Sequence, residues 1–369
     1  MLDSFRDSIL ENPNAYMMYG GLLIGTLLGT IVYLTNFCAM GSVSDFVNFG
    51  DWRRFRSWVL AGATAVVGVF VIQKMGIMNP RDSIFLTPNF TWIGFVSGGF
   101  IFGIGMVLSA GCVSRNLVRA GSCDLRSLMV LVIVGVFAFM TIGGLIGPWR
   151  VKLLNDWFGG IGTINLADSG MAGQGFGDLL AKLSGMDAAD AQLYAFVGVA
   201  AIMLGYVFLN KKFISSPTHI FAGVSIGLLA VAGWVLTGLA QDDFADVPVA
   251  LTSLTFVQPT GSTLDYLMRF TAFETMAFPV AVLLGTLLGG FIGSLIKRDT
   301  RLRTFNGEAD TARNIIGAAL MGIGGVLALG CTLGQGVTGV STLAMGSFIT
   351  FAFLVIGGIV GMKIMEWTA

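Results

Sequence analysis

The chain has 369 residues, 55% of them hydrophobic and only 11% charged, with 52 glycines and a formal net charge of zero. That composition excludes an ordinary soluble domain, and the charge balance gives no sign of a nucleic-acid or acidic partner. Four cysteines with no CxxC pair exclude a disulfide framework.

Apolar runs of about 20 residues recur along the whole length, each long enough to cross a hydrocarbon core roughly 30 Å thick as a helix. The predicted class is therefore an all-α integral membrane protein. An open sheet would leave unpaired edges in lipid, and the runs lack the alternation of an outer-membrane barrel.

The first residues, MLDSFRDSILENPNAY, carry Asp3, Asp7 and Glu11 beside Arg6, unlike the basic start of a cleavable signal peptide, and are expected to persist. Nine apolar runs follow, at about 16–35, 57–75, 92–110, 127–149, 192–209, 219–239, 273–296, 313–330 and 344–366. Between the fourth and fifth lies a stretch rich in Gly, Asp and Ala, residues 150–191, with the short amphipathic candidate GDLLAKLSGMDAADAQ. Residues 240–272, with Asp242, Asp243, Asp246, Pro248 and Pro259, read as an irregular external loop ending in a short helix. The only histidine, His219, starts the sixth run as an interfacial residue, and Glu274 anchors the seventh at the interface.

Nine spans put the termini on opposite sides. With the C-terminus cytoplasmic, the inner connections hold Arg53, Arg54, Arg56, Arg115, Arg119, Arg126, Lys211, Lys212, Lys297, Arg298, Arg301, Arg303 and Arg313. The outer segments hold only Arg6, Lys74, Arg81, Arg150, Lys152, Lys182 and Arg269. The positive-inside bias thus predicts the N-terminus outside and the C-terminus inside.

One sentence is written twice. GIGMVLSAGCVSRN (Gly103 to Asn116) and GIGGVLALGCTLGQ (Gly322 to Gln335) lie 219 residues apart and agree at seven of fourteen positions, among them Gly111/Gly330 and Cys112/Cys331. The agreement extends to Gly98/Gly317 and Ser122/Ser341, and GLLIGTLLGTIVYLTN weakly resembles GVSIGLLAVAGWVLTG. The expected layout is one membrane domain over 1–369. Within it lie a first repeat at 16–150, a periplasmic linker at 151–191, a connecting helix at 192–209 and a second, inverted repeat at 219–366. Inverted repeats are a common construction of secondary transporters.

The uncharged stretch TLGQGVTGVSTLAMGS after Cys331 predicts a re-entrant segment, since irregular backbone at membrane depth must be buried in protein or line a cavity. Two such segments would bring Cys112 and Cys331 together, with helix N-termini favouring an anion between them. A lone cysteine in a membrane helix is ordinarily a small hydrophobe. Cys112 and Cys331 differ in ending matched runs at a Gly break, and Cys38 occupies a similar break after the first run. Cys123 reads as interfacial and incidental. Arg115 suits either an anion guide or a positive-inside anchor. The glycines four apart, Gly21, Gly25 and Gly29, Gly285, Gly289 and Gly293, and Gly357 and Gly361, read as helix-packing residues.

NFCAMGS around Cys38, LSAGCVSRN around Cys112 and LALGCTLGQG around Cys331, with the duplicated layout, resemble the YeeE/YedE family of membrane sulfur transporters over most of the chain. The resemblance implies an hourglass-like fold of nine spanning helices, with short helices on loops entering from both sides. It implies thiosulfate uptake across the bacterial inner membrane by a relay of S–H contacts along Cys38, Cys112 and Cys331, and a separate soluble sulfur-carrier protein as partner. The candidate substrate-contacting residues are these three cysteines with Gly111, Gly330, Arg115, Asn116, Thr332 and Gln335. No enzymatic activity, cofactor or metal is expected. Sulfite, sulfide and selenium compounds stay open as cargo. So do a membrane thiol oxidoreductase using Cys112 and Cys331 and a soft-metal transporter, although the chain has no CxxC pair.

Overall fold

The computed structural model describes residues 2–156, 162–241, 249–273, 275–305 and 307–368. The chain opens with α1 (Leu2–Glu11), α2 (Pro13–Thr35), α3 (Ala39–Phe49), α4 (Arg53–Lys74), α5 (Trp92–Leu108), α6 (Val113–Gly121) and α7 (Leu125–Ile142). Next come α8 (Gly147–Asn155), α9 (Phe176–Ser184), α10 (Ala188–Phe208) and the one-turn α11 (Lys211–Ile214). The remainder is α12 (Pro217–Leu239), α13 (Val257–Met268), α14 (Phe278–Lys297), α15 (Glu308–Leu327) and α16 (Met345–Thr368), with a π-helix at Gly334–Gly339. Two strands of two residues, β1 (Asn89–Phe90) and β2 (Ile164–Asn165), pair antiparallel.

Each of the nine apolar runs contains a long helix: α2, α4, α5, α7, α10, α12, α14, α15 and α16. Among the described residues, eight helical stretches are long and apolar enough to cross a bilayer. α15 falls short of that measure because Glu308, Asp310 and Arg313 occupy its first turns.

Three details differ from the sequence reading. The run at 127–149 stops as a helix at Ile142, and the chain turns before α8 begins at Gly147, with Pro148 in its first turn. The amphipathic stretch from Gly177 to Gln192 is two helices, because Gly185 at φ 69° ends α9 before α10 begins. The loop at 240–272 does end in a helix, α13, whereas Asp242, Asp243, Asp246, Pro248 and Glu274 lie outside the described residues.

Lipid is as apolar as leucine, so helices in a membrane associate through close packing and interhelical hydrogen bonds. At the α2–α14 contact a Cβ on Gly25 would strike the Val282 carbonyl, and one on Gly289 the Thr26 carbonyl. The room they leave lets Thr30 Oγ1 donate across to the Gly289 carbonyl at 3.2 Å. All eight glycines read as packing residues sit against a neighbouring helix.

The α5–α15 contact is self-complementary. Gly98 lies against the Gly324 carbonyl and Gly324 against the Gly98 carbonyl, while Gly105 and Gly317 face each other in the same way. Under the offset of 219, Gly98 becomes Gly317 and Gly105 becomes Gly324, so the two pairs exchange. The helix contacts exchange likewise: α4 packs on α12 as α14 packs on α2, and α5 packs on α16 as α15 packs on α7.

Candidate functional site

Both Gly-Cys breaks are built alike. After α5, Ala110 takes the left-handed conformation at φ 53° and Gly111 N–H reaches back to the Met106 carbonyl at 2.8 Å. After α15, Leu329 is at φ 56° and Gly330 N–H reaches the Gly325 carbonyl at 2.8 Å. This is the six-to-one closure that satisfies the last carbonyls of a helix. The left-handed residue is thus the one before each glycine. The glycines make room instead: a Cβ on Gly111 would press on Arg115, and one on Gly330 on Gln335.

Those neighbours brace the breaks. Asn116 Nδ2 donates to the Gly111 carbonyl at 2.9 Å and to the Cys112 carbonyl at 3.2 Å. Gln335 Nε2 donates to the Ala328 carbonyl at 2.5 Å, and Gln335 Oε1 accepts from Ser347 Oγ at 2.6 Å. Both amides are buried and committed to the protein's own groups.

Beyond the cysteines the correspondence shifts by one residue. Cys123 at φ 71° matches Leu343 at φ 58°, and Ser122 N–H to the Arg119 carbonyl matches Thr342 N–H to the Gly339 carbonyl. The π-helix at Gly334–Gly339 absorbs the extra residue. Ser122 therefore corresponds to Thr342, and its alignment with Ser341 is corrected. Each turn is then clamped by a distant segment. Leu125 N–H donates to the Arg303 carbonyl and Arg303 N–H to the Cys123 carbonyl, at 3.0 and 3.3 Å. Met345 N–H donates to the Gln174 carbonyl and Phe176 N–H to the Leu343 carbonyl, at 2.9 and 3.0 Å. Cys123 belongs to this turn and not to the group of buried thiols.

Cys38, Cys112 and Cys331 are all free and buried. Each stands where a helix begins: Cys38 before α3, Cys112 before α6, and Cys331 before the helical turn that opens at Thr332. The Cys38 and Cys112 thiols lie near one another, and the Thr332 hydroxyl, which is buried and without a hydrogen-bond partner, lies near the Cys112 sulfur. Cys112 thus sits between Cys38 and the Cys331–Thr332 pair. Backbone N–H groups approach from behind: Gly41 N–H donates to the Cys38 sulfur at 3.4 Å and Gly334 N–H to the Cys331 sulfur at 3.3 Å. The backbone of Phe256, at the start of α13, lies near the Cys331 sulfur. Ser114 Oγ is 3.2 Å from the Cys112 sulfur.

Arg115 stands at the Cys38 end, where its Nη2 donates to Asn36 Oδ1 at 3.0 Å. The other end meets a cavity of about 390 Å³ lined by Gly330, Thr255, Gln258 and Arg150. The sequence reading missed Ser114, Thr255, Phe256 and Arg150, none of which carries a repeated or spaced signal. His219 bonds Ser216 Oγ through Nδ1 at 2.6 Å, and no group of three or more metal-ligating side chains occurs among the described residues.

Apolar helices packed through glycines, with three buried thiols at helix starts, define a multi-pass α-helical membrane protein. The chain belongs to the sulphur transport family, which it matches over residues 34–360. It is 25% identical to the thiosulfate transporter TsuA of Spirochaeta thermophila over 347 residues, covering 92% of this chain and 97% of that one. It is likewise 25% identical to TsuA of Escherichia coli K12 over 350 residues, covering 92% of both.

Proposed function

We propose that the chain takes up thiosulfate or a closely related sulfur anion, passing it along the thiols of Cys331, Cys112 and Cys38. The sulphur transport family and both TsuA relatives support the cargo. The observation that carries the route is that three free, buried thiols stand at helix starts, with Cys38 and Cys112 near one another and Thr332 near Cys112.

The chemistry of the row suits passage over storage. Thiols are weak donors and polarizable, so each can contact a soft, sulfur-bearing anion without holding it. Helix starts add partial positive charge. A lysine or arginine in the middle would cost about 2.5–3.5 kcal/mol on insertion scales and would grip a dianion, whereas transport also requires release. Arg115 at the Cys38 end then guides the anion off. Gly111 and Gly330 shape the breaks, and Asn116 and Gln335 hold them without touching the cargo.

The two halves, 16–150 and 219–366, act as inverted repeats, a reading supported by the exchange of Gly98/Gly324 with Gly105/Gly317. Residues 151–191 link them outside and 192–209 connect them through the membrane. The excess of Lys and Arg on one side supports a bacterial inner-membrane setting with the N-terminus periplasmic and the C-terminus cytoplasmic. The chain acts as a transporter without enzymatic chemistry, and a separate soluble sulfur-carrier protein receives its product on the cytoplasmic side.

Uptake of ³⁵S-labelled thiosulfate by a host lacking other importers tests this. Uptake above the empty-vector level, competed by unlabelled thiosulfate more strongly than by sulfate, is expected. Uptake at the empty-vector level would overturn it.

A further inference from the structure

We infer that Arg150 forms an anion-capture site at the Cys331 mouth, in the cavity that leads to the first thiol, recognising a hydrated dianion before it enters the row. The inference rests on the reading of the chain as a sulfur-anion importer.

The cavity, about 390 Å³, runs from the exposed side chains of Ile84 and Ile142 to Gly330, the residue before the buried Cys331. At roughly 30 Å³ per water it holds about a dozen, enough for a small oxyanion with part of its hydration shell. Arg150 is the only charged residue among the described residues that line it. Its Nη2 donates to the Ile142 carbonyl at 3.1 Å, which fixes the guanidinium at the C-terminal end of α7. Its Nε is buried and has no hydrogen-bond partner. Arg150 forms no ion pair among the described residues, whereas Arg81 and Arg269 are paired with Asp178 and Asp265.

The lining also includes the first turn of α13 through Val257, Gln258 and Pro259, and Thr255 just before it. A guanidinium and the start of a helix therefore line one pocket, with no carboxylate among its described lining. Such an arrangement raises the local concentration of anions, and it does so through a screened, long-range field. One arginine in a water-filled pocket attracts a dianion without stripping it of water, so the anion can still move on to the thiols.

Arg150→Gln and Arg150→Lys, measured for thiosulfate uptake in proteoliposomes, test the assignment. Arg150→Gln should raise the half-saturating concentration about tenfold at low ionic strength with little change in maximal rate. The difference should shrink to less than about twofold near 1 M salt, where the screening length is about 3 Å. Arg150→Lys should stay within about threefold of the unaltered protein at every salt concentration. A fall in maximal rate at unchanged half-saturation, or a change indifferent to salt, would overturn the assignment and leave Arg150 as a cap on α7. Should Arg150→Gln fail to assemble, the unaltered protein and Arg150→Lys decide: half-saturation independent of salt overturns it. Absence of thiosulfate uptake by the unaltered protein would instead refute the underlying importer reading.

Discussion

Ala110 and Leu329, 219 residues apart, hold the same left-handed backbone conformation, at φ 53° and 56°. Each ends a helix one residue before the glycine of a Gly-Cys pair, and each costs energy because a Cβ is crowded in that conformation.

Ala110→Gly should therefore stabilise the protein by up to about 1 kcal/mol, since glycine relieves the crowding at the expense of some chain entropy. Thermal unfolding in detergent reads the change. A lower melting temperature for Ala110→Gly would show that the Ala110 methyl contributes packing that outweighs the relief.

At the α5–α15 contact the expected change is opposite. A methyl on Gly324 would meet the Phe102 nitrogen and the Gly98 carbonyl, which are backbone atoms and cannot rotate away. Gly324→Ala should cost about 1–3 kcal/mol, by the usual penalty for overpacking. Gly198, which has open space around it, serves as the control: Gly198→Ala should not destabilise the protein.

Gln335 braces the Cys331 break through the Ala328 carbonyl and Ser347 Oγ. Gln335→Ala would leave a buried acceptor and a buried hydroxyl without partners, at about 1–3 kcal/mol for each group left unpaired. Gln335→Glu keeps the acceptor for Ser347 but removes the donor to Ala328. Both variants should lose uptake in proportion to their loss of thermal stability. An intact melting temperature with abolished uptake would instead show that the amide contacts the cargo.

The sulfurs make a prediction about oxidation. Cys38 lies near Cys112, so a membrane-permeant oxidant should join Cys112 to Cys38 in preference to Cys331. Peptide mass spectrometry should find that disulfide, together with a block of uptake that reductant reverses. A Cys112–Cys331 disulfide on which activity depends would instead favour the thiol oxidoreductase.

Much of this was legible in the sequence. Helix positions follow from the length of apolar runs, and the eight packing glycines from their spacing of four. Cys112 and Cys331 stood out because the same residues recur before them. What was hidden depends on side chains meeting across the fold. Asn116 and Gln335 are aligned in sequence, but that each turns back onto its own helix break is fixed by local backbone geometry. The π-helix at Gly334–Gly339 adds one residue to the second half, so an ungapped comparison slips at Ser122 and Ser341. Arg150 looked like one more outer cation until α7 and α13 were placed around its cavity.

The central claim is that cargo passes the thiols themselves, and ³⁵S-thiosulfate uptake by Cys112→Ala and Cys112→Ser in proteoliposomes tests it most directly. Cys112→Ala is expected to reduce initial uptake at least about tenfold while thermal stability changes by no more than about 1 kcal/mol, a difference of roughly 1.4 kcal/mol in the transport barrier. Cys112→Ser, which keeps a hydrogen-bond donor but not a soft sulfur, should fall between the two. Uptake by Cys112→Ala equal to that of the unaltered protein would contradict the account.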